Sequence, residues 1–392
     1  MGSESVVRTG RRNFVKAAGT LLLASAFPAS LAGAVEAVPD GLEGALAELA
    51  DAAIRTRACP GIQVSVWQEN RPRVMLARGS ANLETATPVA AASVFRAGSL
   101  TKQFTAALIA KLEEQGKLSV HDGLDRYLEF FAGKHPPTLL ELIHHTAGVH
   151  AATESVFDPR NVTQVELARR ISAQETLYDF PPGTAWLYSN ANYILLGAVI
   201  EAVTGQPLAT AARRLLFEPL GLADTAFDAN ADVVPSRVNG YTPTAAGAMA
   251  FANADCLPVE QAGGAGAIRS TATDLCRWHQ ALFSGSVVSR ASLERMLAPA
   301  RLRDGRPAIE HRFDPADANM GATGYGYGLL LDRATRDGGL IALHSGFISG
   351  FSAWLATHVP SLLTVACLCN VDPNPNLPFR QLRRTVFAQQ LP

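Results

Sequence analysis

Ser99 and Lys102 stand three residues apart where the first strongly helical stretch opens, Phe95-Arg96-Ala97-Gly98-Ser99-Leu100-Thr101-Lys102-Gln103-Phe104. At that spacing the lysine stem lies on the same helix face as the serine. A serine at a helix N-terminus meets unpaired N–H groups that favour negative charge. A serine nucleophile needs a base within hydrogen-bond reach, and a desolvated lysine can serve. Gly98 permits a sharp approach of the chain. Taken alone, the pair also has an ordinary reading as an N-cap and a solvated surface charge.

Two further stretches carry chemistry. Pro181-Pro182-Gly183-Thr184-Ala185-Trp186-Leu187-Tyr188-Ser189-Asn190 puts a turn before an aromatic run that enters a helix at 190–204. Tyr188 and Asn190 can both point into a cleft, the phenol to relay protons and the amide to orient a substrate. Their structural reading is a packed ring and an N-cap. Leu343-His344-Ser345-Gly346-Phe347-Ile348-Ser349-Gly350-Phe351 ends a strand in H-S-G and offers a titratable ring with backbone N–H groups at a sheet edge. A hairpin with a structural histidine is its ordinary reading.

In this order, S-x-x-K, Y-x-N and H-x-G resemble the serine β-lactamase and penicillin-binding protein superfamily, in its class C-like branch of esterase and D-peptidase relatives. Leu139-Leu140-Glu141-Leu142-Ile143-His144-His145-Thr146-Ala147-Gly148-Val149 is similar to the family's LL-x-HT-S-G loop. Asn239-Gly240-Tyr241, Ser270–Leu275 and Gly326-Tyr327-Gly328-Leu329 match as well, so the resemblance spans about residues 45–370. It implies Ser99 as nucleophile, Lys102 as first candidate base and Tyr188 as second, with Tyr188 also activating the deacylating water. It implies substrate contacts from Asn190, His344, Ser345, Gly346 and Phe347, with the amides of Ser99 and Phe347 as the oxyanion hole. It implies no cofactor and no metal.

One departure matters. No lysine follows Lys134, so K-T-G is absent from the C-terminal half and His344 stands in its lysine's place. Histidine titrates near neutrality where lysine keeps its charge. A free substrate carboxylate is then held less firmly unless an arginine substitutes, and Arg269 and Arg312 are the candidates. Rival motifs are missing: no G-x-S-x-G elbow, no H-E-x-x-H, no P-loop. The one histidine cluster, Glu141, His144, His145 and His150, reads better as loop hydrogen bonding through His145 than as a metal site.

The elements that must hold these residues read as strands at both ends and helices between. Expected strands are Gly61–Gln68, Val74–Arg78, Tyr325–Leu331, Leu340–His344, Phe351–Thr357 and Leu362–Leu368. Helical patterns cover 99–115, 138–145, 190–204, 207–216, 272–284 and 378–389, while 226–262 and 301–320 read as irregular. The Gly-dotted stretch Ala245–Ala267 is expected to line the cleft mouth. The fold class is α+β, β-lactamase-like: an antiparallel sheet flanked by helices plus a mainly helical lobe. The sheet lobe takes about 38–98 and 263–392, and the helical lobe about 99–262.

Residues 1–37 are set apart. Arg8, Arg11, Arg12 and Lys16 precede an apolar run that closes in Ala32-Gly33-Ala34, and Thr9–Lys16 resembles a twin-arginine export signal. The expected location is the periplasm or outside the cell, with 38–392 as the hydrolase domain and no membrane contact after cleavage. Charge is balanced, 34 basic against 35 acidic residues, and no basic run lies beyond the first 16, which excludes nucleic acid as a partner. The cysteine count of 5 is odd, so complete intramolecular pairing is excluded. Together these readings predict a serine hydrolase working through an acyl-enzyme on D-amino-acid-containing peptides or peptidoglycan fragments. The alternatives are a carboxylesterase, a β-lactamase and a non-catalytic sensor of such ligands.

Overall fold

The strand expected at Gly61–Gln68, β1, is buried along its whole length because both its faces are covered. In the computed structural model, which describes residues 41–150, 163–244, 250–314 and 324–391, β1 lies inside an eight-stranded sheet. The export signal expected at 1–37 lies outside the described residues. The other strands are β2 (Arg71–Asn82), β3 (Thr87–Pro88), β4 (Gly324–Tyr325), β5 (Leu330–Asp332), β6 (Ile341–Ile348), β7 (Phe351–His358) and β8 (Leu363–Cys369). Their order is β3-β2-β1-β8-β7-β6-β5-β4, antiparallel throughout. The two ends of the described chain meet at β1 and β8, with Val64 opposite Cys367.

Helices cover both faces. They include α1 (Leu42–Arg55), α2 (Thr101–Glu114), α3 (Leu139–Ile143), α4 (Gln164–Ser172), α5 (Asn190–Thr204), α6 (Val259–Gly266), α7 (Ala272–Phe283) and α8 (Phe379–Val386). On one face, α1 and α8 bury Leu42, Leu46, Leu382 and Val386 against Val64, Val365 and Cys367. On the other, α7 packs on β1 and β8. Eleven of the fourteen residues of α2 are buried. Helix α5, apolar nearly all round, is enclosed by α2, α3, α4 and α6, as a core helix must be. Among the described residues no single helix is long and apolar enough to cross a membrane.

The fold class is as the residue pattern indicates, with local differences. Tyr325–Leu331 is not one strand: Gly326–Leu329 leaves the sheet between β4 and β5. Gly328 has φ +70, and a Cβ there would meet the backbone of Lys102 and Gln103 at 2.7 Å, so this turn wraps the first turn of α2. The helix expected over 207–216 is α-helical only at Leu208–Ala212 and widens into a π-type turn at Arg213–Phe217. Helices α1, α4 and Arg290–Met296 stand where no helix was read. The stretch expected to rim the cleft is instead partly core: Gly263–Gly266 of α6 are buried against α2 and α5, because glycine and alanine allow that approach. Positions 245–249 of that stretch lie outside the described residues.

Candidate active site

The serine turn is pinned by backbone bonds. Strand Phe95–Arg96 pairs with Ile268–Ser270, and the Ala97 amide donates to the Ile268 carbonyl at 2.8 Å. The Thr101 hydroxyl donates to the Gly98 carbonyl at 2.6 Å and accepts from the Ile268 amide at 2.9 Å. Gly98 takes φ +50, a left-handed value open to glycine without penalty. Ser99 is thereby left half-buried while Gly98, Leu100 and Lys102 beneath it are buried.

Lys102 is fully buried, and its Nζ has three oxygen neighbours: Ser99 Oγ at 3.0 Å, Asn190 Oδ1 at 2.8 Å and the Ala265 carbonyl at 2.8 Å. Burial pushes its pKa well below the ordinary lysine value. Two of the three neighbours are carbonyl-type oxygens, which only accept. When the amine is neutral they hold its two N–H groups and leave its lone pair for the Ser99 hydroxyl, the one partner that can reverse its role.

Tyr188 and Asn190 reach this amine from a segment stitched to the 145–148 loop. The Gly183 amide donates to the Thr146 carbonyl at 2.8 Å, and the Leu187 amide to the His145 carbonyl at 3.0 Å. Thr138 and Glu141 form a reciprocal capping box that starts α3, which carries this loop. The half-buried Tyr188 ring lies 4.4 Å from the His145 ring, and Lys102 Nζ is 4.7 Å from the Tyr188 centroid. Burial raises the Tyr188 pKa, with a hydrogen bond from Ser99 acting the other way, so Tyr188 is a neutral phenol at pH 7. Because Asn190 Oδ1 accepts from Lys102, its Nδ2 donors are left for another partner, and the residue is exposed.

The third stretch lies on β6. Strand β5 pairs with it only over Ile341–Leu343, so the next residues face the serine turn. A Cβ on Gly346 would lie 1.9 Å from the Ala97 carbonyl, so only glycine permits the contact. Phe347 is 48% exposed and its backbone lies against Gly98, while Ser345 is half-buried. His344 is buried; its Nδ1 is 2.5 Å from the Ser345 carbonyl and its Nε2 3.3 Å from Tyr325 Oη. Burial first, then the charge of Lys102, pulls its pKa down to about 3, with the Ser345 carbonyl opposing.

Ser99, Lys102, Tyr188, Asn190, His344, Ser345, Gly346 and Phe347 are therefore brought close together from three distant stretches. A family model described as Beta-lactamase matches residues 44–389. The chain belongs to that family. It is 27% identical over 317 residues to penicillin-binding protein 4* of Bacillus subtilis (strain 168), covering 75% of this chain and 64% of that one. It is 31% identical over 194 residues to esterase EstB of Burkholderia gladioli, covering 45% and 49%. The chain thus spans about half to two thirds of the curated relatives it matches. Among solved structures it resembles the D-amino acid amidase of Ochrobactrum anthropi SV3, with TM-score 0.74, 21% identity and coverage of 89% and 98%. That likeness shows the fold.

In this Beta-lactamase family member the remaining candidates are dispersed. Arg269 is committed to Asp228 and Asp232 at 2.8 and 3.0 Å. Arg312 bridges the backbone of Trp186, two residues before Tyr188. Glu141 pairs with Arg303, and His150 with Asp179. Among the described residues no three potential ligands gather to hold a metal. All five cysteines are free thiols, and only Cys256 is exposed. Two functional groups had no signal of their own. The Ala265 carbonyl sits in the Gly-dotted stretch Ala245–Ala267, expected only to line the cleft mouth, and Tyr325 lies just before the Gly326–Leu329 match.

Proposed function

We propose that the protein is a serine hydrolase that forms an acyl-enzyme on Ser99, with amides or peptides of D-amino acids as its substrates. The observation that carries this reading is the buried Lys102 amine, 3.0 Å from Ser99 Oγ and otherwise held by two carbonyl-type oxygens. In acylation, Lys102 Nζ takes the Ser99 proton as Oγ attacks the substrate carbonyl carbon. The amides of Ser99 and Phe347 meet the oxyanion, each such donor being worth about 10²–10³ in rate. The leaving amine receives a proton passed from Lys102 by way of Tyr188, whose neutral phenol both donates and accepts. Water then attacks the ester through the same groups, and the acid leaves as Ser99 regains its proton. Asn190 Nδ2 steadies the acyl side-chain amide.

The amide preference rests on the third stretch, which lacks a lysine to hold a carboxylate. The D-configuration is supported by the fold shared with a D-amino acid amidase and by the penicillin-binding relatives. A carboxylesterase acting on small esters is the second reading, favoured by the same uncharged stretch and by the esterase relative. Export through residues 1–37 is part of the proposal, and the N-terminal mass of the purified mature chain tests it.

A fluorescent fluorophosphonate labels the wild-type chain and not Ser99→Ala if this reading is right. Absence of label on a folded wild type would favour a non-catalytic sensor. Turnover of D-alanine p-nitroanilide against p-nitrophenyl butyrate separates amidase from esterase.

A further inference from the structure

We infer that His145, Tyr325 and His344 form one hydrogen-bond chain with a single direction, which makes His344 a positioning residue for the strand beside Ser99 and leaves its ring neither a charge nor a donor to offer substrate. This inference rests on the proposed hydrolase reading for its consequences, though not for its geometry.

The direction follows from groups that have no choice. A backbone N–H only donates, and the Ser189 amide lies 3.2 Å from His145 Nδ1. The Asn192 side-chain amide adds a second donor at 3.1 Å. His145 Nδ1 is therefore bare, and its proton sits on Nε2, which donates to Tyr325 Oη at 3.2 Å. At the other end, a backbone carbonyl only accepts, and that of Ser345 lies 2.5 Å from His344 Nδ1. His344 carries its proton there, so its bare Nε2 accepts the Tyr325 hydroxyl at 3.3 Å. Tyr325 takes a contact from His145 and has one proton to give; the Tyr193 hydroxyl beside it, which itself donates to the Ile143 carbonyl at 2.9 Å, is a rival acceptor, and the chain assigns the proton to His344 Nε2, which has no other donor among the described residues.

All three side chains are buried. The chain ties the loop after α3 to β4 and to β6, from residue 145 to residue 345. It ends on the carbonyl two residues before Phe347, whose backbone lies against Gly98. His344 thus orients the strand that faces Ser99 and keeps both its nitrogens for the protein. A substrate group lying along β6 finds no cation in the His344 ring, which favours amides and esters whose leaving side carries no carboxylate.

Two-bond ¹⁵N correlation spectra of the full-length protein with labelled histidine test this at pH 7, assigned with His344→Gln and His145→Gln. We expect a single Nδ1–H tautomer for His344 and a single Nε2–H tautomer for His145. Tyr325→Phe should shift His344 Nε2 to the position of a nitrogen without a donor. It should lower kcat about tenfold while leaving KM nearly unchanged. A proton on His344 Nε2, alone or together with one on Nδ1, would overturn the inference. So would a raised KM confined to carboxylate-bearing substrates in His344→Gln. Loss of fluorophosphonate labelling in the wild type would instead remove the hydrolase reading and leave the tautomers to be judged separately.

Discussion

Gly98 and Phe347 touch backbone to backbone: a Cβ on Gly98 would lie 2.6 Å from the Phe347 amide nitrogen. The serine turn and the β6 edge can approach this closely only because position 98 lacks a side chain and position 346 does too.

Gly346→Ala forces these two segments apart, since its Cβ would lie 1.9 Å from the Ala97 carbonyl. We expect kcat/KM to fall about 10²–10³-fold, the cost of one lost oxyanion donor. Covalent labelling of Ser99 at long times should persist. Unchanged steady-state kinetics would sink the proposed role of the Phe347 amide.

Lys102 must be neutral to act as base, and burial lowers its pKa. Activity therefore rises with pH along an acid limb whose midpoint lies below the ordinary lysine value of 10.5. Lys102→Arg places a permanent cation there, so turnover should drop by about 10³-fold or more. A folded Lys102→Arg that keeps the wild-type pH profile would assign the base elsewhere.

Buried histidines set the acid stability. The pKa of His144 is pushed down to about 4, and those of His279 and His344 to about 3, in each case chiefly by burial. Their unfolded value is near 6.5, so below it the unfolded chain binds more protons and stability falls as pH falls toward about 3. His279 lies away from Ser99, its nitrogens 2.7 Å from Gln103 Oε1 and 2.8 Å from Thr357 Oγ1. Urea midpoints at pH 7, 5.5 and 4.5 should decline steeply, and His279→Gln should remove about 1.4 kcal/mol per pH unit from the slope. A midpoint equal at pH 7 and 4.5 would contradict this.

Asp228 anchors three guanidinium groups, those of Arg96, Arg237 and Arg269, at 2.8 Å each, with its own side chain 1% exposed. Removing the carboxylate leaves three partly buried cations without their shared anion. Asp228→Ala should cost about 3–5 kcal/mol in chemical denaturation. A loss below about 1 kcal/mol would mean the cluster behaves as an exposed one.

Substrate choice gives a further check. A D-amino acid amide should be turned over at least about tenfold faster than the matching dipeptide with a free carboxylate, the size of one missing charge-assisted contact. If the dipeptide wins and Arg312→Gln abolishes its advantage, the arginine near Trp186 supplies the anchor that His344 does not.

Much of this was legible in the residues themselves. Ser99 and Lys102 sit one helical turn apart, and that spacing alone puts them on one face. Alternation and apolar runs marked β1 and β6–β8, and the continuous apolar pattern of 190–204 marked α5 with the bounds it has. The H-S-G stretch read as the end of a strand, whereas β6 runs on through it to Ile348, and the missing lysine left the charge of the His344 ring open.

Tertiary structure alone decided what surrounds those groups. Lys102 finds Asn190 and Ala265, 88 and 163 positions away, and His145 finds Tyr325 180 positions away. Spacing within one element is set by backbone geometry and so can be read locally. Which carbonyl faces the amine, and which nitrogen of His344 holds the proton, depends on how closely packed glycines and a closed sheet bring remote segments together, and nothing in a local stretch encodes that.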